Sequence, residues 1–317
     1  MTDTAFPTTG PAMPTLLRYA AFTDTPLGGN PAGVMLDADA LTDARMQAIA
    51  ADVGYSETAF LTAAGDGRYR VRYFSPRAEV PFCGHATIAS AIALFHELGE
   101  TSPRFETPVG EVPVAVSMDA DSPLATLTSV APRVEAADPA LVGAVLVALG
   151  WREDELDPAL PPRVASAGAR HLVLAAATRA RLADLDYDFD ALERIQREYD
   201  LTTVDLVWCE TQISFHARNP FPVGGVVEDP ATGAAAAAFG GYLRALGLID
   251  APATVDIRQG DDMGRPSRLR VGIDPEGGIR VSGHAVRIDD AADDAADARD
   301  SRLRIAGTHA SHQDLLA

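Results

Sequence analysis

Two stretches decide the fold. Phe82-Cys83-Gly84-His85-Ala86-Thr87 runs straight into Ile88-Ala89-Ser90-Ala91-Ile92-Ala93-Leu94-Phe95 and stops at Gly99. Glu228-Asp229-Pro230-Ala231-Thr232-Gly233 runs into the alanine-rich segment from Ala234 to Leu246 and stops at Gly247. Each reads as a glycine-containing loop followed by a helix of small and apolar residues with almost no polar face. A helix of that kind must be buried on all sides, and a glycine just past its end is the usual terminator.

Around these helices the chain reads mostly as short strands. Leu16 to Phe22 is β-like, and Asp24 to Gly33 reads as a Gly/Pro turn before a short apolar strand, Gly33 to Leu36. Apolar residues at helical spacing predict a helix from Thr42 to Val53, with Thr42 as its N-cap. Glu57 to Thr62 is a strand. Arg68 to Phe74 alternates in period two, with Arg68, Arg70 and Arg72 on one solvent face. The second half repeats the grammar: strands at Arg163 to Ala165, His171 to Ala175, Val204 to Cys209, Ile213 to Ala217, Thr254 to Gln259, Leu269 to Ile273 and Ile279 to Val281, and an amphipathic helix from Ala191 to Tyr199. A last strand is expected at Arg302 to Ile305.

The architecture this predicts is α+β: two domains of similar grammar, each a curved sheet wrapped around one central helix. Residues 1–14 are expected to be a loose N-terminal extension. Domain 1 is placed at 15–128, with its helix at about 84–98, and is completed by a C-terminal segment at about 279–306. Domain 2 is placed at 129–278, with its helix at about 232–246.

Composition removes several functions. All 26 basic residues are arginine and there is no lysine. A Schiff-base lysine is therefore impossible, and so is a lysine-bearing phosphate loop. The net charge of −19 repels nucleic-acid phosphates and acidic membranes, so neither is expected as a partner. Much of that charge sits in the Asp- and Ala-rich run from 289 to 300, read as a solvated acidic loop. No apolar run reaches membrane-spanning length, and a cytoplasmic enzyme is the expectation. Two cysteines, Cys83 and Cys209, are too few for a disulfide scaffold or a four-cysteine zinc site. His96-Glu97-Leu98-Gly99-Glu100 lacks the second histidine of a zinc-protease helix, and no metal is expected.

The chemistry-bearing residues lie at the helix starts and in one strand. A helix N-terminus offers unpaired N–H groups and favours anions. Two such ends facing one another across a cleft would hold a carboxylate without lysine or arginine. Structural capping is the alternative reading for both loops. His85 at such a start is disfavoured as a cation and would be a neutral proton shuttle or a structural hydrogen-bonding group. Asp229 stands one turn before its helix, as a functional acid or a capping residue. Glu57 enters an apolar strand, where a charge is costly to bury unless paired. That environment suits a group that gives and takes protons, although a Glu facing the sheet edge fits the pattern as well. Cys83 at a helix start is a possible reactive thiolate, whereas Cys209 reads as core.

The same stretches resemble the PhzF-like family of phenazine biosynthesis. The resemblance rests on Gly29-Asn30-Pro31-Ala32-Gly33-Val34, Ser56-Glu57-Thr58-Ala59-Phe60, Phe74-Ser75-Pro76, Cys83 to Thr87, Glu228 to Gly233, Gln259-Gly260 and Met263-Gly264-Arg265-Pro266-Ser267. They stand in family order from about residue 16 to 288. The resemblance implies a diaminopimelate-epimerase-like α+β fold, two pseudo-symmetric domains each a mixed β-barrel-like sheet wrapped around a central buried helix, with the site between them, no metal or organic cofactor, and a homodimer. It implies isomerisation of a small carboxylate of the trans-2,3-dihydro-3-hydroxyanthranilate type, with Glu57 moving the proton and His85 and Asp229 assisting. Backbone at Gly84, Gly233 and Ala234 would hold the substrate carboxylate, with Asn30, Ser56, Cys83 and Thr232 as further substrate-binding positions. The family commonly has serine where this chain has Ala234, which removes one side-chain hydroxyl. Two other outcomes stay open: an amino-acid-derivative racemase or epimerase pairing Glu57 with Cys83 or Asp229, and a non-catalytic small-molecule binder.

Overall fold

A computed structural model describes residues 15–289. The extension at 1–14, the run at 290–300 and the strand expected at Arg302 to Ile305 lie outside the described residues.

The first half is a closed barrel. Its strands are β1 (Leu16–Ala21), β2 (Asn30–Met35), β3 (Glu57–Gly65), β4 (Arg68–Phe74), the two-residue β5 (Glu79–Val80), β6 (Arg104–Thr107), β7 (Gly110–Asp119) and β8 (Ser122–Thr128). Neighbours pair in the order β1, β2, β3, β4, β6, β7, β8, and β5 hangs on β4. The ring closes through the last strand, β17 (Ile279–Arg287). It pairs with β8 at Thr128 to Leu124 and with β1 at Tyr19 to Ala21. Closure leaves no free edge.

The second half is a curved sheet that shares the same β17. Its strands are β9 (Arg133–Ala136), β10 (Arg163–Ser166), β11 (Arg170–Ala175), β12 (Thr203–Thr211), β13 (Ser214–Pro220), the short β14 (Glu228–Asp229), β15 (Ala253–Gln259) and β16 (Ser267–Ile273). The order runs β9, β10, β11, β12, β13, β15, β16, β17, with β14 paired to β13.

Six helices accompany these strands among the described residues: α1 (Asp43–Val53), α2 (Gly84–Leu98), α3 (Pro139–Leu149), α4 (Arg179–Ala183), α5 (Phe189–Glu198) and α6 (Gly233–Ala245). Helix α2 packs against β1, β2, β3, β7, β8 and β17 and so fills the barrel, while α6 packs against β9, β10, β11, β16 and β17. Every residue of α2 from His85 to Leu94 is buried. In α6 Gly233 and the run from Ala235 to Leu243 are buried. Each fully buried Ile or Leu of α2 contributes roughly 1.5–3 kcal/mol. Its alanines and Ser90 let strands approach from all sides. Thr42 caps α1 as expected, accepting from the Arg45 N–H.

Three departures from the sequence reading stand out. Strand β2 begins at Asn30 rather than Gly33 and takes in Pro31, which is tolerated near a strand start where one ladder donor can be spared. The hairpin β7–β8 and the helix α3 were not anticipated. Residues 112, 114 and 116 are valines alternating with polar or small residues. Helix α3 carries a Pro at its start behind the Asp138 cap.

Candidate active site

The starts of α2 and α6 meet. A Cβ built on Gly84 would stand 3.9 Å from the Gly233 Cα, so the first residues of the two central helices are in near contact. Both ends therefore present their unpaired first-turn N–H groups and positive dipole ends to one place. Neither helix spends a side chain on capping: Cys83 and Thr232 occupy the N-cap positions without a side-chain cap bond.

Glu57 opens β3 beside the α2 start. Its Oε2 lies 3.4 Å from His85 Nε2 and 3.5 Å from Cys83 Sγ, which donates to it. Ser56 Oγ is 3.3 Å from the same His85 nitrogen. The Glu57 side chain is 16% exposed against 6% for His85, so the carboxylate is the more accessible of the two. Burial pulls the His85 pKa below its ordinary value, against the pull of the Glu57 charge. The ring is thus neutral near pH 7.

Cys83, read from the sequence as a possible reactive thiolate and, through the resemblance, as a substrate-binding position, stands buried at the α2 start. Burial first, and then the Glu57 charge, push its thiol well above the ordinary cysteine value. Desolvation outweighs the helix end here. The ligand atoms of Glu57, Cys83 and His85 all lie within 4.8 Å of one another, a spacing a soft cation could bridge. Here the Cys83 thiol donates a hydrogen bond to Glu57.

The second half contributes Asp229 from β14. Its Oδ1 accepts from Asn30 Nδ2 at 2.7 Å, and its Oδ2 accepts from the Thr232 hydroxyl at 2.6 Å. Burial raises its pKa to about 7, aided by the Glu57 charge and held back by the Thr232 and Asn30 donors. Asp229 is therefore divided between acid and carboxylate near neutral pH. The preceding residue anchors the loop: Arg218 grips Glu228 in a buried two-pronged ion pair, Nε to Oε1 at 2.9 Å and Nη2 to Oε2 at 2.5 Å.

All the residues singled out from the sequence come to this one region. Asn30, Ser56, Glu57, Cys83, Gly84 and His85 come from the first half, and Asp229, Thr232, Gly233 and Ala234 from the second. Ala234, unlike its neighbours in the first turn of α6, is only partly buried. Asn30, expected to bind substrate, is 1% exposed and its amide nitrogen faces protein acceptors.

Two contributors were not singled out. Gln259, at the end of β15, donates to the Asp229 carbonyl at 2.7 Å and accepts from the Thr232 N–H at 3.0 Å. Arg265 reaches from the second half to the carbonyls of Gly29 and Gly28, at 2.9 and 3.1 Å. Both stood inside quoted motifs, Gln259-Gly260 and Met263 to Ser267, and that position was their only signal.

The described residues contain no helix long and apolar enough to cross a membrane.

Comparison with known proteins agrees with this arrangement. The family model described as "Phenazine biosynthesis-like protein" matches residues 19–291. An uncharacterised isomerase of Mesorhizobium japonicum is 36% identical over 301 residues, covering 86% of this chain and 96% of that protein. The trans-2,3-dihydro-3-hydroxyanthranilate isomerase of Pseudomonas aeruginosa is 34% identical over 260 residues, covering 78% of this chain and 86% of the enzyme. The crystal structure of the Bacillus anthracis phenazine biosynthesis protein of the PhzF family superposes with a TM-score of 0.78 at 26% identity, covering 86% and 96% of the two chains. With its diaminopimelate-epimerase-like fold and its relatives named as isomerases, the chain belongs to the PhzF family and is an isomerase.

Proposed function

We propose that the protein is a cofactor-independent isomerase that moves a proton between two carbons of a small carboxylate, as in isomerisation of trans-2,3-dihydro-3-hydroxyanthranilate. The observation that carries this reading is the Glu57 carboxylate held by His85 and Cys83 beside two abutting helix starts. The backbone amides at Gly84, Gly233 and Ala234 bind the substrate carboxylate. They also stabilise the charge that develops when an adjacent C–H bond is broken. Glu57 takes the proton, the electron pair of that bond passes into the conjugated system, and the Glu57 carboxylic acid returns the proton at another carbon. His85 holds Glu57 in place, and Asp229, poised near neutrality, assists on the other side.

The test is exchange of substrate hydrogen with deuterated water. Turnover of trans-2,3-dihydro-3-hydroxyanthranilate by the wild-type protein, with Glu57→Gln inactive in both exchange and isomerisation, supports the reading. Equal exchange in both proteins removes Glu57 from the reaction.

A second reading, epimerisation, draws on the near-neutral Asp229 as an opposing base. It predicts inversion of a stereocentre without movement of a double bond, which chiral analysis of the product separates from isomerisation.

A further inference from the structure

We propose that Asn30 is a positioning residue that fixes His85 as the tautomer with its proton on Nε2, aimed at Glu57, and ties that ring to Asp229 across the two halves. The Asn30 amide nitrogen lies 2.7 Å from Asp229 Oδ1, 3.2 Å from the Ala231 carbonyl and 3.1 Å from His85 Nδ1. The Ala231 main-chain carbonyl can only accept, whatever the protonation of Asp229, so the nitrogen end of the amide belongs on this side. That nitrogen is a donor without a usable lone pair. A hydrogen on the ring nitrogen facing it would meet this donor at 3.1 Å, a closer neighbour than Cys83 Sγ at 3.4 Å, which assigns that nitrogen as the unprotonated one. A neutral imidazole with a bare Nδ1 carries its hydrogen on Nε2, the atom next to Glu57 Oε2 and Ser56 Oγ.

The amide has two hydrogens for three acceptors. The short contact to Asp229 takes one, and the Ala231 carbonyl and His85 Nδ1 share the other. Asn30 has no donor left for a substrate, and its side chain is buried. Its backbone is fixed from both halves. Gly29 holds φ +63 where a Cβ would meet the Ala21 carbonyl at 2.3 Å, so only glycine permits the turn into β2. The guanidinium of Arg265 then clamps the carbonyls of Gly28 and Gly29. A loop of the second half thus sets the position of a first-half residue that orients a first-half histidine.

The tautomer is read directly by nitrogen-15 NMR of the resting full-length protein, with His85 assigned by loss of its signals in His85→Gln. Wild-type protein should show an N–H-type Nε2 and a lone-pair-type Nδ1. In Asn30→Asp an acceptor replaces the donor, and the ring proton should move to Nδ1. A proton on Nδ1 in the wild type, or identical ring shifts in a folded Asn30→Asp protein, overturns the proposal. The wild-type spectrum decides even if the variant fails to fold. The kinetic arm rests on the isomerase reading: Asn30→Asp should lower kcat at least tenfold with KM changed less than threefold. A rise in KM at unchanged kcat marks a substrate contact and also overturns it. Because the tautomer is read without substrate, its outcome is independent of whether the isomerase reading holds.

Discussion

Gly84 and Gly233, 149 positions apart in the chain, stand at the first residues of two buried helices, close enough that a methyl group on one would touch the other at 3.9 Å. Neither needs an unusual backbone angle, so their small size, and not their flexibility, is what the contact uses. Gly84→Ala should leave the melting temperature within a few degrees of wild type. It should raise KM for a carboxylate substrate by roughly 10- to 100-fold, because the added methyl stands between the two helix starts and crowds the carboxylate off one charge-assisted backbone hydrogen bond. Unchanged KM would place the carboxylate elsewhere.

The Cys83 thiol is a buried donor to Glu57 with its ionisation suppressed. If Glu57 is the proton carrier, Cys83→Ala removes one weak donor, and kcat should fall by less than about tenfold, within the weight of an ordinary hydrogen bond. Loss of activity as complete as in Glu57→Gln would make the thiol a reacting base. Steady-state kinetics of the two variants side by side decide between these outcomes.

Removing one member of the buried Arg218–Glu228 pair leaves the other charge unpaired. Glu228→Ala should therefore destabilise the protein by about 3–5 kcal/mol in denaturant titration. Because the pair anchors the residue before Asp229, activity should fall even where the variant remains folded. A stability change below about 1 kcal/mol would mean that the pair is solvated.

Much of this was legible in the sequence, for a definite reason. The two central helices are recognisable because a run such as Ile88 to Leu94 has no polar face to give to water, and the Gly99 and Thr42 signals are local. The sequence reading assigns the segment at about 279–306 to domain 1, but the register by which β17 reaches β1 across more than 250 residues is recorded by no periodicity. Helix α3 was missed because its apolar residues show no clear stripe, and Val147 is 83% exposed despite its type. Glu57, Cys83, His85 and Asp229 were singled out one by one at helix starts and in a strand, whereas Asn30, Ser56 and Thr232 came with the family motifs. Gln259 and Arg265 act across the halves, so their roles appear only once the chain is folded. Whether Cys83 is a thiol or a thiolate was not legible, because the helix-end effect is local and visible, whereas the burial that opposes it comes from distant segments.

Asp205 is buried, with Asn219 Nδ2 donating to its Oδ1 at 3.1 Å, and burial raises its pKa to about 7. A carboxyl whose folded pKa lies above its unfolded value favours folding while protonated. Its contribution is fully present below about pH 4 and is lost as pH rises to about 7. Asp229 acts in the same direction. Stability should therefore fall between about pH 4 and 7, and Asp205→Asn, which keeps the acceptor and cannot ionise, should flatten that fall by at most about 4 kcal/mol. Parallel pH–stability curves for the two proteins would contradict the assignment.

The most direct test of the account is a crystal structure of Glu57→Gln with trans-2,3-dihydro-3-hydroxyanthranilate bound. The account predicts the substrate carboxylate on the backbone N–H groups of Gly84 and Gly233, with a ring carbon within contact distance of the residue 57 side chain. A ligand bound away from these helix starts, or with its carbon skeleton turned from residue 57, would contradict it.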